Sequence, residues 1–224
     1  MAVGKSINKG ESQERGGGGG DYKFNFEVAR MLHASVLHRP LAPARIVGGG
    51  HSKAGKSSGV AAVLTGKDLI NGDIDPYFGL IIQDQTPVAL DTVRFVGEAV
   101  AAVAAADADT AAEAVELINV EYEELPALFD PEEALKPEAP ILHPGPRRII
   151  PGRPDVAARS LEGTNIVHLF KQRKGDMTRG FADSDRIFEN SFFSPSVNHL
   201  ALEPHVTVAQ VSGGRITVWT CSQN

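Results

Sequence analysis

Cysteine is the scarcest chemistry-bearing residue in this sequence: one, Cys221, in 224 residues. A lone thiol closes no internal disulfide and falls short of the roughly four thiolates that hold an iron–sulfur cluster. Long apolar runs are also missing, and none approaches the ~20 residues of a transmembrane helix. The first twenty residues, MAVGKSINKGESQERGGGGG, lack the apolar stretch of a secretory signal. Positive charge is in deficit: 22 Lys and Arg stand against 28 Asp and Glu, for a formal net charge of −6. That balance argues against a nucleic acid or a polybasic membrane contact. Together these absences set the expectation of a cytoplasmic chain that binds neither nucleic acid nor membrane. What is present is ordinary for a globular protein, with 42% hydrophobic residues and ten phenylalanines, enough for one domain or two small ones.

Residues 1–20 read as a flexible tail, because Gly16 to Gly20 carry maximal backbone entropy and no side chain to bury. Over 21–142 short strands alternate with short helices. Met31 to His38 has β-like alternation, and Ala44 to Val47 reads as a second strand stopped by Gly48-Gly49-Gly50. Val60 to Gly66 is a buried strand or a short helix, which periodicity alone leaves open. Thr92 to Ala105 reads as two strand segments about Gly97. Asp109 to Leu117 is the clearest helix, with Thr110 and Glu113 spaced as a capping box. Ile118 to Glu124 alternates with period two, and Asp130-Pro131 opens a further helix that ends before Pro137.

Residues 143–164 form the core of a proline-rich connecting arm; the stretch KPEAPILHPGPRRIIPGRPD holds six of the fourteen prolines. A second unit spans 165–224. In it Asn165 to Asp176 reads as strand then turn, and Met177 to Ala182 as a helix capped by Asp176. Arg186 to Ser194, Val197 to Val211 and Arg215 to Gln223 read as three strands, the last two joined at Gly213-Gly214. A strong strand at the very end, in a sheet of few members, sets the expectation of an incomplete domain: a piece, or a subunit needing a partner.

Three motifs bear on chemistry. Gly50 to Ser57 matches a phosphate-binding loop, with Lys56 as its lysine. Such a loop must open a helix of several turns, and Gly59 and Val60 follow almost at once, so a Gly/Ser surface loop is the plainer reading. A small nucleotide hydrolase stays as the weakest alternative. His199, Glu203 and His205 share one face if the strand is continuous, but the two histidines would then lie about 20 Å apart, too far for one metal. Cys221 lies on one face with Trp219 and Gln223 and reads as a small buried hydrophobe. No nucleophilic triad and no paired carboxylates stand out.

Read in order, several segments resemble one family. MLHASVLHRPLAPARI, GVAAVLTGKDL, VRFVGEAVAAVAA, AAEAVELINVEYEELPALFDPEEAL, KGDMTRGFADSD, VNHLALEPHVTVAQV and RITVWTCSQN are similar to the large subunit of the xanthine dehydrogenase/aldehyde oxidase family. The resemblance covers about residues 22–224. It implies an α+β fold: an α/β-hammerhead domain over 21–142, followed by the first, β-rich part of a molybdopterin-binding domain. The GKS of the phosphate-loop match then falls in a variable stretch between hammerhead strands.

The resemblance also implies a reaction class, oxidation of an aldehyde or N-heterocyclic substrate with water as the oxygen source. It implies a molybdenum-molybdopterin cofactor, in plain or cytosine dinucleotide form. The partners it implies are a [2Fe–2S] small subunit, an FAD-binding medium subunit and the remaining molybdopterin-binding piece. Gln223, at a strand end similar to the family's Ser/Thr–Gln pair, would direct its amide to the molybdenum oxo group. His199, Glu203 and His205 match the family's His…Leu-Glu-Pro-His region and would stand behind the groups that touch the cofactor. No catalytic residue and no direct metal ligand is expected in this chain, since the family's glutamate base belongs to a later segment. The chain by itself is therefore expected to be inactive. Two departures stand out: Gly16 to Gly20 replace the usual lead-in strand, and Arg39-Pro-Leu-Ala-Pro-Ala-Arg-Ile46 lacks both histidines of the matching family motif. A non-catalytic hammerhead retained as an assembly module is the second reading.

Overall fold

Two antiparallel three-stranded sheets organise the larger unit of the computed structural model, which describes residues 4, 10, 17, 25–40, 43–73, 75–79, 82–145, 161–201 and 203–222. The chain divides into a unit of Arg30–Gly175 and a unit of Met1–Ala29 with Asp176–Asn224. The flexible tail expected over residues 1–20 falls almost wholly outside the described residues, as do residues 146–160 of the proline-rich arm.

In the larger unit the strands are β1 (His33–His38), β2 (Ala44–Gly50), β3 (Val60–Thr65), β4 (Thr92–Val93), β5 (Ala99–Ala105) and β6 (Asn119–Glu124). One sheet has the order β1-β5-β3 and the other β4-β2-β6. The central strand of the first, β5, reads Ala-Val-Ala-Ala-Val-Ala-Ala and is buried along most of its length. Small and β-branched side chains suit a strand paired on both edges and covered by a helix. Helix α1 spans Ser52–Gly55, α2 Gly66–Asn71 and α3 Ala108–Glu116. Helix α3 covers β5 by setting Ala114 and Val115 against Val103 and Ala54, with Val63 and Ile118 at the margin. A second cluster joins Ala89, Val93 and Val100 to Ile46, Val120 and Tyr122 of the other sheet. Burying each Val or Ile side chain stabilises by about 1.5–3 kcal/mol.

The local signals account for most boundaries. Gly97 has φ +86, a conformation glycine adopts freely, and separates β4 from β5 as expected. Val60–Thr65 is a strand, which settles the choice that periodicity left open. The glycine run does not stop β2: Gly48, Gly49 and Gly50 remain in the ladder opposite Glu121, Val120 and Asn119. Its backbone groups are paired by β6, which outweighs the weak strand propensity of glycine. The cap of α3 is Asp107 rather than Thr110; its carboxylate accepts from the Thr110 backbone N–H at 2.8 Å and from the Thr110 hydroxyl at 2.9 Å. The helix expected after Asp130 shrinks to one 3-10 turn, Glu133–Leu135, and Lys136, the residue before Pro137, is already extended. Asn165 ties this turn to the chain beyond the arm. It accepts from Leu142 N–H at 2.9 Å and donates to Ala134 O at 3.1 Å and Pro140 O at 3.0 Å.

The smaller unit contains α4 (Met177–Ala182), capped by Asp176 as expected, and a hairpin of β7 (Thr207–Ser212) and β8 (Arg215–Thr220). Gly213 and Gly214, at φ +57 and +75, make the two-residue turn. Phe26 packs on Trp219, ring centroids 4.9 Å apart. Two strand expectations fail and a third is met in part. Residues 166–174 and 186–194 form no strand, and of the strand expected over Val197 to Val211 only the part from Thr207 forms, as β7. Phe188, Phe192 and Phe193 are 81%, 93% and 88% exposed, so nothing among the described residues supplies the facing ladder or the apolar cover that a strand needs.

Candidate functional site

The hairpin end carries the polar groups singled out by the sequence. Thr207 and Thr220 face each other through their hydroxyls at 3.0 Å, and the Thr220 hydroxyl accepts from Ser222 N–H at 3.3 Å. Cys221 is turned back on the hairpin. Its Sγ accepts from Val206 N–H at 3.4 Å and lies 3.6 Å from Val206 O and 3.7 Å from Pro204 O. The thiol is thus engaged with backbone, and it is half-buried rather than the buried hydrophobe expected from sequence. Gln223 lies outside the described residues.

His199 and His205 are exposed and Glu203 is half-buried. The three do not share a continuous strand. Leu200 takes φ +47, and the Asn198 side chain accepts from Leu200 N–H at 3.0 Å, a local turn that breaks the extension. No group of three His, Cys, Asp or Glu side chains among the described residues could hold a metal. The polar groups at the hairpin end, the Thr207 and Thr220 hydroxyls and the Ser222 backbone N–H, are hydrogen-bonding groups.

The phosphate-loop match takes a different form from a nucleotide site. Helix α1 is one turn of four residues, and Lys56 is its C-cap, with its N–H on Lys53 O and Ala54 O. The glycines before it instead wall a cavity of about 490 Å³, which also meets Ile46, Ile70, Val100, Ile118 and Val120. His51, Lys67 and Asp91 are its charged or titratable lining groups. Beside it, Asp68 closes a capping box with Thr65, accepting from the hydroxyl at 2.6 Å and from the backbone N–H at 2.8 Å. Those bonds, the hydroxyl's first, hold the Asp68 carboxyl below the ordinary aspartate range.

Sequence reasoning missed a second feature. Arg39 is 7% exposed, and its guanidinium sits 3.8 Å from the centroid of the Tyr122 ring. Burial pushes the Tyr122 phenol up, opposed by the Arg39 charge. The buried Arg39 Nε has no hydrogen-bond partner among the described residues. The available signal was slight: Tyr122 on the inward phase of β6, and an arginine one residue beyond β1. The neighbouring loop is clasped by Glu98, which accepts from Arg94 N–H, while Arg94 Nε donates to Leu142 O at 3.0 Å.

Comparison with known proteins follows the same division of the chain. A family model described as "Aldehyde oxidase and xanthine dehydrogenase, a/b hammerhead domain" matches residues 17–126. A second, "Molybdopterin cofactor-binding domain", matches residues 160–224. A probable xanthine dehydrogenase subunit of Bacillus subtilis (strain 168) is 36% identical over 195 residues, 86% of this chain and 23% of that protein. The nicotinate dehydrogenase large molybdopterin subunit of Eubacterium barkeri is 30% identical over 225 residues, 100% of this chain and 48% of that protein. Among solved structures, quinoline 2-oxidoreductase from Pseudomonas putida 86 superposes with a TM-score of 0.79 at 29% identity, covering 100% of this chain and 27% of that one. The chain thus spans between about a quarter and a half of the length of these relatives.

Proposed function

The chain belongs to the xanthine dehydrogenase/aldehyde oxidase family of molybdenum-dependent oxidoreductases, and on that premise we propose that it forms the hammerhead wall and the opening part of the molybdopterin-binding domain of a molybdenum hydroxylase large subunit. The observation that carries this reading is the order of the two family matches along one chain, together with the likeness of the whole chain to one solved structure.

The cofactor in this reading is molybdenum-molybdopterin, which when bound supplies the two-electron oxidation of an activated C–H bond. This chain's part is to position. Gln223 would hold its amide N–H toward an oxo group, with His199, Glu203 and His205 behind it. The substrate would be an aldehyde or N-heteroaromatic compound, water the oxygen source. Nicotinate and quinoline, in the names of two similar proteins, are N-heteroaromatic and favour that half of the class. Electron transfer would need an Fe–S subunit and a flavin subunit; similar proteins named as a dehydrogenase complex subunit and a dehydrogenase large chain support a multi-subunit setting.

The test is co-expression of the chain with a downstream molybdopterin-binding piece and the two electron-transfer subunits, followed by metal analysis of the purified complex. Molybdenum near one per complex is expected. A stable complex without molybdenum would refute the reading.

A further inference from the structure

The cavity beside the glycine run is not absorbed by the proposed function, and the inference drawn from it does not depend on that reading. Gly48 to Gly50 line the cavity, and branched aliphatic side chains close it: Ile46, Ile70, Val100, Ile118 and Val120. Of the three glycines Gly50 has open space where a Cβ would stand, whereas Gly48 faces the Glu121 carboxylate and Gly49 the Asn119 backbone. At about 490 Å³ it lies within the range of small-ligand pockets, ~300–1,000 Å³. Ile70 is 58% exposed on α2, a large apolar side chain facing open space at the cavity's edge.

The lining charges choose the ligand class. Lys67 lines the cavity and forms no ion pair among the described residues. His51 lines it as well. The adjacent Asp68 carboxylate lies outside the lining, where it accepts from the Thr65 hydroxyl and backbone N–H. Asp91 is the one anionic group in the lining, and it is exposed. A cation at the rim of an aliphatic slot fits an anion with an apolar body. We propose that the cavity walled by Gly48 to Gly50, Ile70 and Lys67 binds a monocarboxylate carrying an aliphatic body of about eight carbons.

Titration of the full chain with octanoate, followed by amide NMR shifts, tests this. Saturable shifts are expected at residues 46–50, 66–70 and 118–120. Hexanoate should bind about tenfold more weakly, since each buried CH₂ contributes roughly threefold to fourfold. Lys67→Gln should weaken octanoate about fivefold while leaving octanol unchanged, and Asp91→Asn should tighten octanoate by a few fold. Gly50→Leu should weaken binding, because Gly50 lines the cavity and a Cβ there meets nothing within 4 Å, so the leucine can be accommodated without a backbone clash and take up space beside the lining. Ile70→Glu, at an exposed helical position, does the same by putting a like charge at the rim. No saturable shift up to about 10 mM, shifts confined to the exposed phenylalanines of the smaller unit, or binding unaltered by Lys67→Gln and Ile70→Glu would overturn the proposal.

Discussion

The guanidinium of Arg39 lies 3.8 Å from the centre of the Tyr122 ring, and only 7% of the arginine remains exposed. A cation stripped of water and placed over an aromatic face gains about 2 kcal/mol, against about 0.5–1 at an open surface. Arg39→Ala and Tyr122→Leu should each destabilise the fold, and a double-mutant cycle by urea unfolding should show a coupling of about 1–2 kcal/mol. A coupling near zero would mean that the pair is packing alone.

Gly49 and Gly50 are neighbours in β2 with opposite tolerances. Gly49 has φ +133, and a Cβ there would lie 2.3 Å from Asn119 O, a backbone atom; at Gly50 a Cβ meets nothing within 4 Å. Gly49→Ala should therefore cost at least about 2 kcal/mol in thermal or urea unfolding, and Gly50→Ala no more than about 0.5 kcal/mol.

Asp107 is held below the ordinary aspartate range, chiefly by the Thr110 backbone N–H and then by its hydroxyl. A carboxyl whose native pKa is depressed binds fewer protons folded than unfolded, so its stabilisation is present above the unfolded pKa, about 3.9, and is lost as pH falls through the lower native value. Asp68 has the same sign through Thr65. Asp107→Ala should lower the unfolding midpoint by a few degrees at pH 7, and the difference from the parent should shrink steadily below about pH 4. A difference that is constant from about pH 7 to about pH 2 would show that the carboxylate is not the cap.

Asn165 joins three backbone groups of Ala134, Pro140 and Leu142. Asn165→Leu removes all three partners at once and should destabilise by about 1–3 kcal/mol. Hydrogen exchange should quicken at Leu142 N–H in that variant and remain unchanged in β5.

Under the proposed function, the exposed Phe188, Phe192 and Phe193 face the rest of the molybdopterin-binding domain in the assembled subunit. The chain by itself should bind a hydrophobic dye, and co-expression with a downstream piece should reduce that signal severalfold. Triple replacement of these residues by serine should reduce dye binding without changing the unfolding of the larger unit.

The larger unit was legible from sequence because its strands and helices answer to local rules. Alternation in β1 and β6, the alanine face of α3 and the flexible Gly97 each follow from a few neighbouring residues. The strand through Gly48 to Gly50 was not legible, since its hydrogen bonds come from β6, about seventy residues away. The same distance hid the Arg39–Tyr122 pair. In the smaller unit, apolar alternation over residues 186–194 suggested a strand, yet alternation states a capacity for burial, and no facing partner lies among the described residues. The role of Gln223 rests on family likeness.

Strand β5 contains no side chain larger than valine, and α3 rests on it through Ala114 and Val115. Alanine has no rotamers with which to make room. A side chain larger than valine at position 103 could not be absorbed by a swing of Ala114, and α3 would have to lift. The distance between α3 and β5 is accordingly set by the smallest side chains available, and the seam tolerates no added volume.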